Sequence, residues 1–186
     1  MTDELVIKDN LAFSVALIGY YVGLLFAIGG ALVGPSHGIL ADLIDMVVYG
    51  LLAILLLNIS MIVNQKIILR RFSVFKEIVE DKNAGTGVIE AANGVANGLI
   101  IFGAVYGDGG GIDTAIVFWF FGQLALLITA RFYDWIVPYD VRKEVEKDNV
   151  AAGIGFAGAL IAIANLIRNS VMHDFNGWFW SGINLS

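Results

Sequence analysis

Five polar side chains recur within the otherwise apolar stretch of residues 83–106. They are Asn83, Thr86, Glu90, Asn93 and Asn97. Their spacing alternates between three and four residues, so a helix places them all on one face. A carboxyl group inside a membrane-spanning helix is costly, and such groups commonly line an ion pathway or a proton relay. The stripe therefore predicts a functional face around Glu90, suited to binding a cation or relaying a proton.

The composition is that of a membrane protein. Of the 186 residues, 58% are hydrophobic and 15% are charged, whereas soluble domains average about 45–50% and about 25%. Predominantly apolar runs long enough to cross a bilayer recur along the chain. They occupy residues 11–33, 39–63, 83–106, 112–137 and 150–167. The sequence therefore predicts an all-α polytopic membrane bundle of about five transmembrane helices, forming a single domain over residues 1–186.

Further polar residues fall within or beside the other spans. Asp42 and Asp45 open the second span three residues apart, where acidic side chains favour the positive end of a helix dipole. The same pair could instead form an acidic outer mouth that attracts cations. Gln123 is an inner polar residue of the fourth span, and it is a candidate to extend the pathway from Glu90.

The composition disfavours several classes of function. A net charge of −6 without a basic stripe argues against nucleic acid as a partner. Because the chain has no cysteine, it has no thiolate nucleophile and no Cys-based metal site. His37, Asp42 and Asp45 could form an oxygen and nitrogen metal site, but three such ligands in one short stretch are typical of a polar helix start. With no hydrolase elbow or His-Glu-x-x-His pattern either, we expect no enzymatic activity, no cofactor and no bound metal.

Basic residues are distributed unevenly between the connectors. Residues 65–82 and 131–147 carry lysines and arginines, whereas the turns after the first and third spans carry none. The positive-inside bias then places the N-terminus in the cytoplasm and the C-terminus outside. Residues 65–82 also show helical apolar spacing, which is typical of an amphipathic segment at the membrane surface. The aromatic tail, residues 173–186, predicts an interfacial anchor.

A short motif recurs before the first, third and fifth spans. Each copy contains an Asn followed four residues later by a small residue, within residues 6–14, 79–87 and 145–153. The spacing predicts a duplicated two-helix unit, at about 4–64, 77–137 and, truncated, 143–186. Each Asn would cap its helix, and the small residues would let these helices pack closely.

The third copy of the motif also carries a family resemblance. Residues 148–160 (DNVAAGIGFAGAL), with a weaker counterpart after Asn83, resemble the YjfL-like bacterial inner-membrane family, domain of unknown function 350. The resemblance implies tandem two-helix repeats and a location in the bacterial inner membrane, but no established activity. It also suggests association with envelope-stress proteins of the phage-shock type. The chain departs from the shortest expected members by carrying an extra leading helix pair.

Two functions are compatible with these features. The first is a cation channel or transporter component that uses the face around Glu90. Because five spans are few for a solitary transporter, this function predicts a homo-oligomer. The alternative is a non-transporting membrane scaffold, in which the polar stripe holds helices together by hydrogen bonds and residues 65–82 recruit a partner protein.

Overall fold

A computed structural model describes residues 1–33, 36, 38–68, 73–107, 109–175 and 177. Within these ranges the chain is helical and contains no strand, as predicted. Among the described residues, five helices are long and apolar enough to cross a membrane. They are α1 (Leu11–Leu32), α2 (Ile39–Ile68), α3 (Ala84–Val105), α4 (Ile112–Ile136) and, after the short α5 (Val141–Glu146), α6 (Val150–Val171). Two π-helical turns, Asp3–Ile7 and Lys76–Glu80, precede α1 and α3.

Helices α1, α3 and α6 lie side by side and parallel, with α3 in the middle. In the most apolar 18-residue stretch of α3, 72% is buried, whereas the corresponding share for the other four spans is 22–33%. Helix α2 packs against α1 and α3, and α4 packs against α3 and α6. The three parallel helices begin on the same face of the bundle, which we call the N-terminal face. A side chain on α3 is therefore enclosed by protein on nearly every side.

Close packing along α3 depends on glycine. A Cβ atom on Gly23 would lie 2.1 Å from the carbonyl oxygen of Gly94, and one on Gly87 would lie 2.5 Å from that of Ala12. A Cβ atom on Gly153 of α6 would lie 2.8 Å from the carbonyl oxygen of Gly85. These distances are too short for any side chain, so the helix backbones are in direct contact. Small residues that allow such contact drive helix association within membranes.

Helix α2 ends five residues beyond the predicted limit, at Ile68 rather than residue 63. The polar residues Asn64 and Gln65 continue the helix because their side chains bond to α3 inside the bundle. The expected surface segment 65–82 therefore begins as the last turn of α2. It resumes at residue 73, with Ile78 buried and Phe75 exposed, and residues 69–72 lie outside the described part of the chain.

The expected aromatic anchor is described only at its start. Phe175 lies edge-on to Phe118 of α4, with ring centroids 6.4 Å apart. The other aromatic residues of the tail, Trp178, Phe179 and Trp180, lie outside the described residues.

The three parallel helices begin with the predicted asparagine caps. The Oδ1 atoms of Asn10, Asn83 and Asn149 accept hydrogen bonds from the backbone N–H three residues later, at 3.0, 2.8 and 3.2 Å. Each Asn also donates through Nδ2 to a glutamate in the preceding turn, at 3.1, 3.0 and 3.0 Å. These glutamates are Glu4, Glu77 and Glu144. The residue before each Asn has a positive φ of 47°, 51° or 56°, which turns the chain into the helix.

The glutamate partners differ in acidity because their surroundings differ. Hydrogen bonds from Lys147 and Asn149 lower the pKa of Glu144. Burial instead raises the pKa of Glu77, and the bond from Asn83 offsets only part of this effect. A depressed pKa stabilises the fold above the unfolded-state pKa, so the contribution of Glu144 is lost on acidification. Because the pKa of Glu77 is raised, its ionisation lowers the stability of the fold at neutral pH, and acidification removes this cost.

The caps of α1 and α3 also connect neighbouring helices. Asn10 Nδ2 donates to the carbonyl oxygen of Ile78 at 2.8 Å, and Asn83 Nδ2 donates to that of Val145 at 2.7 Å. Asn149, in the described part of the chain, donates only to Glu144. The capping asparagines thus link α1 to the turn before α3, and α3 to the turn before α6.

This difference predicts unequal costs for removing two otherwise similar caps. Loss of a capping side chain costs about 0.5–2 kcal/mol. Asn83→Ala also removes the bond to the Val145 carbonyl, which then keeps its bond from the Asp148 N–H, and losing such a hydrogen bond adds about 0.5–1.5 kcal/mol. We expect Asn83→Ala to lower the thermal unfolding midpoint in detergent more than the matched variant Asn149→Ala. Equal shifts for the two variants would contradict the linking role of Asn83.

Candidate functional site

The polar stripe of α3 lies inside the bundle. Thr86, Glu90, Asn93 and Asn97 are all buried, with exposed fractions of 0–5%. They face α2 and α4 because the opposite sides of α3 are occupied by backbone contacts with α1 and α6. Asn83, at the start of the stripe, is used as the helix cap. The structure therefore brings four of the five stripe residues into the protein interior and assigns the fifth to the N-terminal face.

Three helices meet at a cluster of side-chain amides, which we call the amide cluster: Asn64 of α2, Asn93 and Asn97 of α3, and Gln123 of α4. Asn64 Nδ2 donates to Asn93 Oδ1 at 3.0 Å and to Asn97 Oδ1 at 3.3 Å. Gln123 Nε2 donates to Asn97 Oδ1 at 2.7 Å. Asn97 Nδ2 donates to the side-chain and backbone oxygens of Asn93, both at 2.7 Å. Asn97 Oδ1 thus accepts hydrogen bonds from both α2 and α4.

Glu90 lies next to the amide cluster, toward the N-terminal face. Its Oε1 atom accepts a hydrogen bond from Gln65 Nε2 of α2. Among the described residues no lysine or arginine forms a salt bridge with this carboxyl group. A carboxylate in such a place loses its hydration without gaining a positive partner. Burial without a positive partner makes Glu90 a candidate for protonation or for binding a cation.

Several buried oxygen atoms of this region have no hydrogen-bond donor within the described part of the chain. They are Asn64 Oδ1, Thr86 Oγ1, Glu90 Oε2 and Gln123 Oε1. A buried acceptor without a donor costs about 1–3 kcal/mol. Carboxylate, amide and hydroxyl oxygens are also the ligands that hard cations prefer. The region thus combines an unsatisfied set of oxygen atoms with the chemistry to bind a cation or a proton-carrying group.

Two members of the site, Asn64 and Gln65, were not predicted to belong to it. In the sequence they follow the second apolar run directly, where polar residues are typical of a helix leaving the membrane. A usable signal was their position: one further helical turn beyond residue 63 places Asn64 on the same face of α2 as Ser60 and Leu57. Ser60 is itself buried, and it accepts a hydrogen bond from Trp119 Nε1 of α4 at 2.7 Å.

An apolar layer separates this polar region from the opposite face of the bundle. Its buried members are Ala27, Ala53, Leu56, Leu57 and Ile101, and Trp119 packs against them. Leu57 and Ile101 are completely buried, so the polar region does not continue as a polar column along α2. The apolar layer therefore lies between the amide cluster and the opposite face.

Beyond the apolar layer, a cavity of about 740 Å³ opens at the opposite face. Asp42 and Asp45 line it, together with Tyr49, Thr114 and His173. Asp42 accepts a hydrogen bond from Ser36, next to the start of α2. The two predicted mouth residues therefore share one cavity, well separated from Glu90. His37 lies outside the described residues.

These features define a multi-pass α-helical membrane protein with a buried polar site among three of its spans. The chain belongs to the family described as Domain of Unknown Function (DUF350), which matches residues 2–105 and 109–185. The family resemblance noted for residues 148–160 is thereby confirmed.

A curated relative agrees with this assignment. The UPF0719 transmembrane protein of Aquifex aeolicus (strain VF5) is 22% identical over 173 residues, which is 91% of this chain and 62% of the relative. The present chain therefore spans less than two thirds of that relative's length. No solved structure matches the chain.

Proposed function

We propose that this protein is a component of a cation or proton pathway across the bacterial inner membrane, with Glu90 as the ionisable group of the pathway. The observation that carries the proposal is the set of buried oxygen atoms without donors around the amide cluster. These atoms belong to α2, α3 and α4: Asn64, Thr86, Glu90 and Gln123. A cation or a protonated group bound there would satisfy acceptors that otherwise lower stability.

The proposed route crosses the bundle from the acidic cavity to Glu90. Asp42 and Asp45 raise the local cation concentration at the cavity. The apolar layer around Leu57 and Ile101 acts as the gate, because a narrow apolar constriction blocks ions until water enters it. Beyond the gate, the oxygen atoms of the amide cluster replace part of the hydration shell of the cation. Glu90 is the next polar group along the route. The reaction is transfer across the membrane, so no enzymatic step is involved.

The charge distribution supports one orientation of this route. The connectors on the N-terminal face carry the basic residues, so the positive-inside bias places that face in the cytoplasm. Asp42 and Asp45 then lie toward the outside, as does the C-terminus. Five spans are few for a solitary transporter with a central site, which favours assembly as a homo-oligomer.

Glu90→Gln tests this proposal, since the amide keeps the shape of the side chain and an oxygen that can accept from Gln65. Purified wild-type protein in liposomes is expected to pass protons or potassium ions down an imposed gradient. We expect Glu90→Gln to reduce the flux to that of empty liposomes, because no ionisable group remains at the centre. Glu80→Gln is the matched control, because Glu80 is exposed on the N-terminal face.

Two measurements complete the design. Native mass spectrometry of both variants should give the mass of the wild-type assembly, which separates a loss of flux from a loss of assembly. The pathway proposal fails if Glu90→Gln and wild type conduct equally, or if the wild type conducts neither ion.

The amide-to-amide bonds that join α2, α3 and α4 support a second candidate function. Bonds of this kind between membrane helices contribute about 0.6–2 kcal/mol each, which is enough to hold a bundle in one arrangement. In this alternative the protein is a non-transporting scaffold. The exposed Phe75 and its neighbours in residues 65–82 would then bind a cytoplasmic partner, such as an envelope-stress protein. Absence of flux from the wild type, with an intact assembly, would favour this role.

A further inference from the structure

The two interfaces between the parallel helices use equivalent positions. Counted from the capping Asn, these are the second, ninth, thirteenth and twentieth residues, which share one helix face. On α1 they are Ala12, Gly19, Gly23 and Gly30, all buried. The contacts of this set lie on α3. On α3 they are Gly85, Ala92, Ala96 and Gly103, also buried. Gly85 and Gly103 of this second set are in contact with α6.

Helix α6 presents the same face, and in the described part of the chain nothing covers it. The equivalent residues are Ala151, Gly158, Ala162 and Asn169, and all four are exposed. A Cβ atom added to Gly158 would meet nothing within 4 Å. Exposure to lipid is ordinary for a large apolar side chain, but a small-residue face leaves a groove that another helix can enter.

The capping bonds are incomplete at the same place. Asn10 and Asn83 each donate to the backbone carbonyl that follows the glutamate of the next cap, at Ile78 and Val145. Asn149 donates to Glu144 but has no such carbonyl partner among the described residues. If Asn149 follows the pattern of Asn10 and Asn83, the acceptor that it lacks is the backbone carbonyl of a residue directly after the glutamate of another cap. In a second copy of this chain that residue is Leu5, which follows Glu4.

The other edge of the row, on α1, has a complementary shape. Helix α3 meets α1 through Gly87, Ala91, Gly94 and Gly98, at four, eight, eleven and fifteen residues after Asn83. The equivalent residues of α1 are Ser14, Ile18, Tyr21 and Leu25. The last three are 61%, 47% and 73% exposed. This edge therefore offers large side chains, and the free face of α6 offers small ones.

An acidic side chain on this edge fits the start of α6. Asp148 Oδ1, just before the cap of α6, accepts a hydrogen bond from the backbone N–H of Gly85 at 3.1 Å. Asp9 occupies the equivalent position before α1, with a similar φ of 47°. It has no hydrogen-bond partner among the described residues. The counterpart of the Gly85 N–H is that of Ala151, at the start of the free face of α6.

We propose that copies of this protein associate head to tail, with α1 of one copy packing in parallel along the free face of α6 of the next. In this contact, α1 of the next copy lies beside α6 just as α3 lies beside α1 and α6 beside α3. Ala151, Gly158 and Ala162 then pack against Ile18, Tyr21 and Leu25 of the neighbouring copy. Because the two surfaces differ, the association is heterologous and generates a ring or a longer array. The inference rests on the homo-oligomer part of the proposed function and not on transport.

Cysteine cross-linking tests this contact in the intact protein, since the native chain has no cysteine. The chosen pair is Gly158→Cys and Ile18→Cys, because their equivalents at the α1–α3 interface, Gly19 and Ala91, are in direct contact. The two variants are made in separately tagged copies. Co-expressed copies in native membranes are expected to form a disulfide-linked dimer carrying both tags. Neither variant alone should cross-link. Gly158→Cys paired with Ile128→Cys, an exposed residue of α4, is the control and should give no dimer.

A second variant keeps the test independent of cysteine geometry. Gly158→Leu fills the free face, and within one copy its side chain starts in open space. We expect its unfolding midpoint to match the wild type while its native mass falls to that of the monomer. Three outcomes overturn the proposal: no mixed dimer, cross-linking of Ile18→Cys with itself, or an unchanged assembly for Gly158→Leu. None of these readouts depends on ion flux.

Discussion

Gly98→Ala is expected to destabilise the bundle more than any other addition of a single methyl group along α3. A Cβ atom at this position would lie 2.2 Å from the carbonyl oxygen of Gly23 and 2.6 Å from its Cα atom. Both neighbours are backbone atoms, so no side-chain rotation can relieve the clash. Helices α1 and α3 must therefore separate along the interface that contains Gly19, Gly23 and Gly94. Overpacking costs about 1–3 kcal/mol, and we expect the upper end here.

Gly50→Ala is the matched control for Gly98→Ala. A Cβ atom on Gly50 of α2 would meet nothing within 4 Å. Because alanine favours a helix over glycine by about 0.8–1 kcal/mol, this change should be neutral or stabilising. Thermal unfolding of both variants in the same detergent therefore tests the sign of the effect. A shift in the same direction for both would mean that the close approach at Gly98 does not limit stability.

The second large effect is expected for Asn97→Ala. Asn97 Oδ1 accepts hydrogen bonds from Gln123 at 2.7 Å and from Asn64 at 3.3 Å. Its removal leaves the buried Gln123 amide without an acceptor, while Asn64 keeps its bond to Asn93. An unsatisfied buried amide costs about 1–3 kcal/mol. This exceeds the average of about 0.6 kcal/mol for side-chain bonds between membrane helices, because one residue here connects three helices.

Asn58→Ala separates this effect from the general loss of an asparagine in a membrane helix. Asn58 lies on the exposed side of α2, where its Nδ2 atom donates to the carbonyl oxygen of Ile54 at 2.8 Å and, at a longer 3.4 Å, to the hydroxyl of Tyr20. We expect its replacement to change the free energy of unfolding by less than about 0.5 kcal/mol, as is usual for surface substitutions. Chemical unfolding in mixed micelles measures both variants. Equal losses would show that Asn97 contributes no more than an asparagine on the exposed side of a helix.

The sequence by itself determined the elements of the fold and one face of the site. Apolar runs of membrane-spanning length placed five helices within a few residues of their ends, because the hydrocarbon thickness sets that length. The three- and four-residue spacing placed Glu90, Asn93 and Asn97 on one side of α3. The asparagine caps were predictable for a similar reason, since a cap acts on the backbone only three residues away.

Only the tertiary structure decided which helices these faces meet. Helical periodicity identifies a polar face but contains no information about its neighbours, so the pairing of Asn97 with Asn64 and Gln123 could not be predicted. The same holds for Gln65, whose position after an apolar run indicated a helix leaving the membrane. The apolar layer between Glu90 and Asp42 was also hidden, because Leu57 and Ile101 meet there from separate helices. Local spacing determines a helix and its faces, whereas lateral packing against other helices determines the site.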